Sequence, residues 1–181
     1  MQQRTRRGFT LIELLVVVAI IGILIGLLFP AVKAAIEGGR RTQALTACKS
    51  LETAVKAYYN DNGKYPLQTA QNADWTYKTA APGTYVALIE VLRGIDRTNN
   101  PRGIPYLDVP ERNLENGRLL DPWDGEYQIM ADYTGDNKLT VLGKAFNGVT
   151  VVVWSKGPDG KENTGSFTHA DNNDNVGTWG N

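Results

Sequence analysis

The chain is 181 residues long, with 42% hydrophobic and 21% charged residues and no internal repeat. That composition excludes a disordered chain and suits one globular domain carrying an appendage. Equal numbers of acidic and basic residues give a formal net charge of zero, without the basic patch of a dedicated nucleic-acid binder, so no nucleic-acid partner is expected.

The apolar residues crowd into the amino terminus, where residues 4–29 read RTRRGFTLIELLVVVAIIGILIGLLF. Leu14 to Phe29 is an uncharged apolar run of 16 residues, and extending it back to Phe9 across Glu13 makes 21. That is about 31 Å of helix, enough to cross a bilayer core. Arg4, Arg6 and Arg7 favour a cytoplasmic amino terminus, although Lys33, Arg40 and Arg41 follow the run and oppose that bias. A cleaved secretory signal also has a basic start and an apolar core. It fits poorly here, because the stretch is too long and Pro30-Ala31-Val32-Lys33 follows it in place of a small-x-small cleavage site. A plain membrane anchor accounts for the length but not for Glu13. A carboxylate inside a bilayer segment costs about 3 kcal/mol on insertion scales and normally has a partner.

The stretch Arg6-Arg7-Gly8-Phe9-Thr10-Leu11-Ile12-Glu13-Leu14 resembles the leader of type IV pilins and of type II secretion pseudopilins. In that family a prepilin peptidase cuts after the glycine on the cytoplasmic side and methylates the new amino-terminal phenylalanine. The resemblance implies cleavage between Gly8 and Phe9, N-methylation of Phe9, and retention of the hydrophobic helix. It also implies an assembly contact in which Glu13 pairs with the Phe9 amine of a neighbouring subunit, offsetting the penalty on a lone charge in low dielectric. Loss of residues 1–8 would leave 16 basic against 19 acidic residues, a net charge of −3.

Beyond the apolar run, Leu45, Cys48, Leu51, Val55, Tyr58 and Tyr59 recur at three- and four-residue spacing and predict an amphipathic helix face. One helix is expected from Phe9 to about Tyr59, roughly 75 Å long, ending at Asn60-Asp61-Asn62-Gly63 with Gly63 as a left-handed cap. Gly22, Gly26 and Pro30 interrupt the ideal pattern, and a kink is expected at Pro30. Cys48 reads as a buried small hydrophobe, and being the sole cysteine it excludes an intrachain disulfide.

A connecting region then runs to about Gly125. It holds one short helix, in which Ala87, Leu88, Val91, Leu92 and Ile95 share a face, and is broken up by Pro101, Pro105 and Pro110. Three strands are readable after it: Glu126 to Tyr133, Lys138 to Leu142 across a Thr134–Asn137 hairpin turn, and Gly148 to Trp154. The hairpin turn accounts for Asp132, Asp136 and Asn137 better than a metal site does. Three antiparallel strands on one long helix make an α+β fold. It resembles the pilin arrangement of a long amino-terminal helix, part membrane anchor and part amphipathic, on a small antiparallel sheet with a carboxy-terminal loop.

Two stretches resemble the major pseudopilins of type II secretion more than the surface pilins. Asp121-Pro122-Trp123-Asp124-Gly125-Glu126-Tyr127 is similar to their Asp-Pro-Trp-Gly entry to the first strand, with Asp124 where glycine is usual and the turn expected to shift by one residue. Ser155-Lys156-Gly157-Pro158-Asp159-Gly160, followed by Asp171, Asp174, Asn175 and Trp179, resembles their calcium-binding loop. Asp159 is then the leading calcium ligand, with Asp174, Asp171 and Asn175 after it; carboxylates, amides and carbonyls are the oxygen ligands that calcium takes. The alternative is a solvated polar tail without an ion. Asn175 stands where the family has a second acidic residue. A calcium staple would replace the cysteine pair that closes this region in many type IV pilins.

The chain therefore divides into a removed leader, 1–8; a transmembrane and filament-core helix, 9–32; an amphipathic half-helix, 33–62; and a periplasmic or extracellular α+β head, 63–181. The favoured function is that of a structural subunit of a type II secretion pseudopilus, anchored in the bacterial inner membrane with its head in the periplasm. Partners implied by the resemblance are copies of itself in a filament, minor pseudopilins, an inner-membrane platform protein, an assembly ATPase and the prepilin peptidase. Alternatives are an extracellular type IV pilus serving adhesion, motility or DNA uptake, and an anchored binding module that does not polymerise. An enzyme is not expected: the single histidine, His169, lies in the polar tail and no catalytic motif is recognisable.

Overall fold

The computed structural model describes residues 11–68, 73–77, 83–111 and 114–179. Helix α1 spans Leu11–Asn62 and runs through Pro30. It stops where expected: Gly63 adopts φ +66° and its N–H bonds to the Tyr59 carbonyl at 2.8 Å, which only a residue free of a Cβ penalty does cheaply. The chain forms two compact units that meet at Arg40 and Arg41. In the first, the described part is the amino-terminal portion of α1, whose Leu, Ile and Val side chains are exposed. Among the described residues, α1 is the one helix long and apolar enough to cross a membrane by length and composition.

The second unit, Arg41–Asn181, is an α+β head. After α1 it carries β1 (Trp75–Thr76), α2 (Thr84–Leu92), β2 (Leu114–Glu115), β3 (Arg118–Leu119), β4 (Gln128–Ala131), β5 (Lys138–Val141), β6 (Lys144–Asn147), β7 (Val151–Ser155), a 3-10 turn (Ala170–Asn172) and β8 (Val176–Gly177). The principal sheet is antiparallel in the order β1-β4-β7-β8. Two further hairpins, β2–β3 and β5–β6, stand apart from it.

The stripe buried on α1 is Ala44, Cys48, Leu51, Ala54, Val55 and Tyr58. Two positions of the predicted face move: Leu45 is half-buried and Tyr59 is 41% exposed, while the alanines at 44 and 54 lie in the interface. Cys48, Leu51, Val55 and Tyr58 share one core with Leu88, Ile89 and Leu92 of α2 and with Ile129, Ala131, Val151 and Val153 of the sheet. On α2 the face is set by Tyr85 as well as Leu88 and Leu92, whereas Ile95 falls past the helix end and is 51% exposed.

Strand β7 alternates between two cores. Val151 and Val153 face the first; Val152 and Trp154 join Leu139, Val141 and Leu142 in the second, flanked by Phe146, Phe167 and Trp179. Burial on both faces explains why this strand reads as an unbroken apolar run, where a half-exposed strand alternates.

The strand pairing departs from the sequence expectation. Lys138–Val141 does not pair with β4; it pairs with Lys144–Asn147, a strand the sequence pattern missed. Two local devices redirect the chain. The buried Asp132 carboxylate accepts the N–H groups of Gly135 and Asn137, both at 2.7 Å, which curls residues 132–137 into a loop instead of a tight hairpin. Leu142 and Gly143 then both take positive φ, +51° and +79°, the twist that closes a two-residue hairpin. Leucine is not a residue whose identity announces that conformation, and burial of its side chain offsets the strain.

A buried phenol cluster ties the end of α1 to the sheet. The Tyr77 hydroxyl donates to the Pro66 carbonyl at 2.5 Å and lies 2.7 Å from the Tyr133 hydroxyl, which is itself 3.2 Å from that carbonyl. Tyr77→Phe leaves the ring packing intact and removes one oxygen from this triangle. A loss of about 1–2 kcal/mol is expected, read as a lower melting temperature of the detergent-solubilised chain. An unchanged melting temperature would show the triangle to be energetically idle.

Candidate functional site

Gly8 and Phe9, the expected processing site, lie outside the described residues. Glu13 lies in α1, close to the amino-terminal limit of the described residues. It is the sole charge between Leu11 and Val32.

The second candidate site is built where β7 ends. Asp121 folds back on its own turn: its N–H reaches the Gly125 carbonyl at 2.7 Å, and its Oδ1 accepts from the N–H groups of Trp123 (2.9 Å) and Gly125 (2.8 Å). Position 124 itself is left-handed, with Asp124 at φ +66°. Gly125 is required for a different reason, since a Cβ there would stand 2.9 Å from Asp121 Oδ2.

The fully buried Ser155 closes β7. Its hydroxyl donates to Asp121 Oδ2 at 2.5 Å and accepts the Gly157 N–H at 3.0 Å. Gly157, at φ +69°, passes so near the tail that a Cβ would lie 2.4 Å from the Asp174 carbonyl oxygen. The loop and tail are thereby laid side by side, and Asp159 N–H donates to Asp174 Oδ2 at 3.2 Å.

Of the predicted ligands, Asp159 and Asp174 meet through the Asp159 backbone N–H, while the Asp159 carboxylate accepts the Lys161 N–H at 2.8 Å. Asn175 follows them, its Nδ2 held by Asn172 Oδ1 at 3.1 Å and its Oδ1 buried without a hydrogen-bond partner. Asn172 is the hub of the tail, since its amide also bridges the carbonyls of Asn163 and Ser166, both at 2.8 Å. Asp171 sits in the 3-10 turn, where its Oδ2 is 3.5 Å from Nδ1 of the exposed His169. Among the described residues, Asp159, Asp171 and Asp174 do not bring three carboxylate oxygens within 4.8 Å of one another, whereas Asp74, Asp132 and Asp136 do. In that trio Asp132 is already committed to its loop N–H groups and to Thr134 Oγ1. Burial, together with the charges of Asp132 and Asp136, holds the Asp74 carboxyl above the usual range against a hydrogen bond from Thr134.

Cys48 faces this region from α1. Its Sγ–H donates to the Val176 carbonyl at 3.6 Å. Burial first, then the Asp121 charge, pushes its thiol up to about 12, so it is an inert packed group and not a nucleophile. The Asp121–Ser155 link and the Cys48–Val176 contact were not foreseen from sequence. Ser155 ends an apolar run, which is the only local hint that its hydroxyl needs a buried partner.

The family profile described as "Prokaryotic N-terminal methylation motif" matches residues 3–29. Over their whole lengths, this chain and the type II secretion system core protein G of Pseudomonas aeruginosa are 31% identical. The protein of the same description from Aeromonas hydrophila is 28% identical over 99% of this chain and 96% of its own. A type IV major pilin, PilE1 of Neisseria gonorrhoeae, is 32% identical over only 50% of this chain and 54% of its own. No solved structure matches significantly.

Two outcomes follow from this geometry. Asp124→Gly removes a side chain from a left-handed position and should stabilise the head by about 1 kcal/mol, seen as a higher melting temperature; a lower one would mean that the Asp124 side chain holds the turn. The Cys48 proton is retained in the folded chain up to about pH 12, while an unfolded chain with the ordinary value of 9.0 loses it earlier. The unfolded state then binds fewer protons between those limits, so this contribution to stability is full below pH 9 and is lost as pH rises through 12. Denaturant titrations across that window should show a steeper decline for the native chain than for Cys48→Ala, and equal slopes would refute the assignment.

Proposed function

The chain belongs to the family of the type II secretion core protein G, the major pseudopilins, and from that premise we propose that it is the building subunit of a type II secretion pseudopilus. The observation that carries this reading is identity along the full length, head included, joined to an exposed apolar helical segment, Leu11 to Val32, in which Glu13 is the sole charge. The work is mechanical. The precursor is cut between Gly8 and Phe9 and methylated on Phe9 by a prepilin peptidase. The subunit waits in the inner membrane on α1 with its head in the periplasm, and is drawn out of the bilayer into the filament. Pairing of Glu13 with the Phe9 amine of a neighbour sets the axial step, because an unmatched charge in that apolar surround is penalised. Growth of the filament pushes folded substrates toward an outer-membrane channel. A platform protein, an assembly ATPase and minor pseudopilins act with it.

The tail loop is assigned to calcium. Asp159, Asp174 and Asn175 offer oxygen donors only, and the orphaned Asn175 Oδ1 is the group most in need of a partner; Asp171 remains a candidate fourth. Calcium when bound supplies a positive centre for these oxygens. The residues themselves order the tail: Asn172 gathers its carbonyls and Gly157 lets the two segments touch.

A surface pilus is the second reading, favoured by the match to a type IV major pilin and disfavoured by its half-length coverage. Glu13→Ala should reduce filaments in electron micrographs of overexpressing cells by at least tenfold and stop export, with the protein still anchored. Unchanged assembly and export would overturn the filament reading in favour of an anchored module. Sheared extracellular filaments with normal export would move it to the surface pilus.

A further inference from the structure

Asp121 has more hydrogen bonding than its turn requires. It is 5% exposed, and its Oδ1 alone receives both turn N–H groups, of Trp123 and Gly125. Burying a carboxylate is costly unless every oxygen is engaged. The second oxygen, Oδ2, accepts from the hydroxyl of Ser155. Ser155 accepts the Gly157 N–H in turn, and Gly157 is the residue whose backbone rests on Asp174. One relay therefore runs from the 121–125 turn through Ser155 to the backbone that fixes how near Asp159 and Asp174 lie. On the far side of the same tail, Cys48 holds the Val176 carbonyl, two residues past Asp174.

We infer that Asp121 is the positioning residue of the tail-loop cation site: through Ser155 it sets the backbone of Gly157, and with it the contact between the Asp159 backbone and the Asp174 carboxylate. The inference rests on the calcium assignment made above and adds to it a residue that touches no ion. Asp121 acts through hydrogen-bond geometry, not through its charge on the metal. Its effect therefore falls on affinity and is distinct from the general stability of the head.

Calcium titration of the full chain in detergent micelles, by calorimetry, separates the possibilities. Ser155→Ala deletes the relay and leaves the Oδ1 turn bonds standing, so it is the milder variant; Asp121→Asn alters both. Each should raise the calcium Kd at least tenfold, and the double variant should do no worse than the stronger single one, because the two residues act in series. Near-UV dichroism of the tryptophans checks that the head remains packed. A purely structural Asp121 would lower the metal-free and calcium-loaded melting temperatures equally and leave Kd unchanged, which overturns the inference while the calcium site stands. If Asp121→Asn fails to fold, Ser155→Ala with an unchanged Kd overturns it equally. No binding by the native chain removes the calcium assignment and the inference with it.

Discussion

Everything in the head is organised around one strand buried on both faces. Strand β7 gives Val151 and Val153 to the core under α1, and Val152 and Trp154 to the aromatic core on the opposite side. Burial of each such side chain contributes about 1.5–3 kcal/mol, so a single five-residue segment joins two cores that would each be small alone. Its central place in the β1-β4-β7-β8 order follows, since a strand apolar on both faces cannot sit at an edge next to water. The same placement fixes where the chain leaves the sheet, at Ser155, with its hydroxyl inside the protein and in need of a partner.

That need explains how a head without a disulfide holds a long polar tail. The tail has few large apolar residues to bury, and Phe167 and Trp179 are its principal anchors in the second core. Order is maintained instead by side chains that substitute for backbone partners: Asp121 for its turn, Asn172 for the 163–175 loop, and Asn100, buried, which bonds the Val91 and Ile104 carbonyls beyond α2. Each such bond contributes modestly when made and costs more when broken, because a buried group is then left unsatisfied. The pattern makes the head sensitive to single polar substitutions at sites that look like surface loop in the sequence.

The sequence was legible where periodicity carries the signal and opaque where conformation is set by a side-chain hydrogen bond. The long helix, its cap at Gly63, the burial of Cys48 and the valine strand could all be read, since three-four spacing and an apolar run survive any tertiary context. The β5–β6 hairpin could not, because its turn places Leu142 at positive φ, a choice that tertiary packing imposes against local preference. The left-handed backbone at Asp124 was equally invisible, since aspartate is one of the few residues that tolerate that region without announcing it. At the tail site, the resemblance to a calcium-binding loop singled out Asp159, Asp171, Asp174 and Asn175, but the contact between Asp159 and Asp174 depends on Gly157 and Ser155, whose roles become visible only in three dimensions.

Helix α1 shows how one element meets two solvents. Its carboxy-terminal portion presents Ala44, Cys48 and Ala54 to the head, small groups that let a helix lie close to a sheet. Its amino-terminal portion presents Leu, Ile, Val and Phe29 outward, far too much apolar surface for water. Either surround that can cover that surface, lipid or the helices of like subunits, is equally apolar. Transfer from one to the other therefore gains little from the hydrophobic effect itself, as with any helices that associate within a membrane. The choice between bilayer and filament must rest on what differs between them: packing, and the single polar group, Glu13. A carboxylate is poorly accommodated by lipid unless it has a partner, which is the physical ground on which the proposed pairing of Glu13 with a neighbouring amine rests.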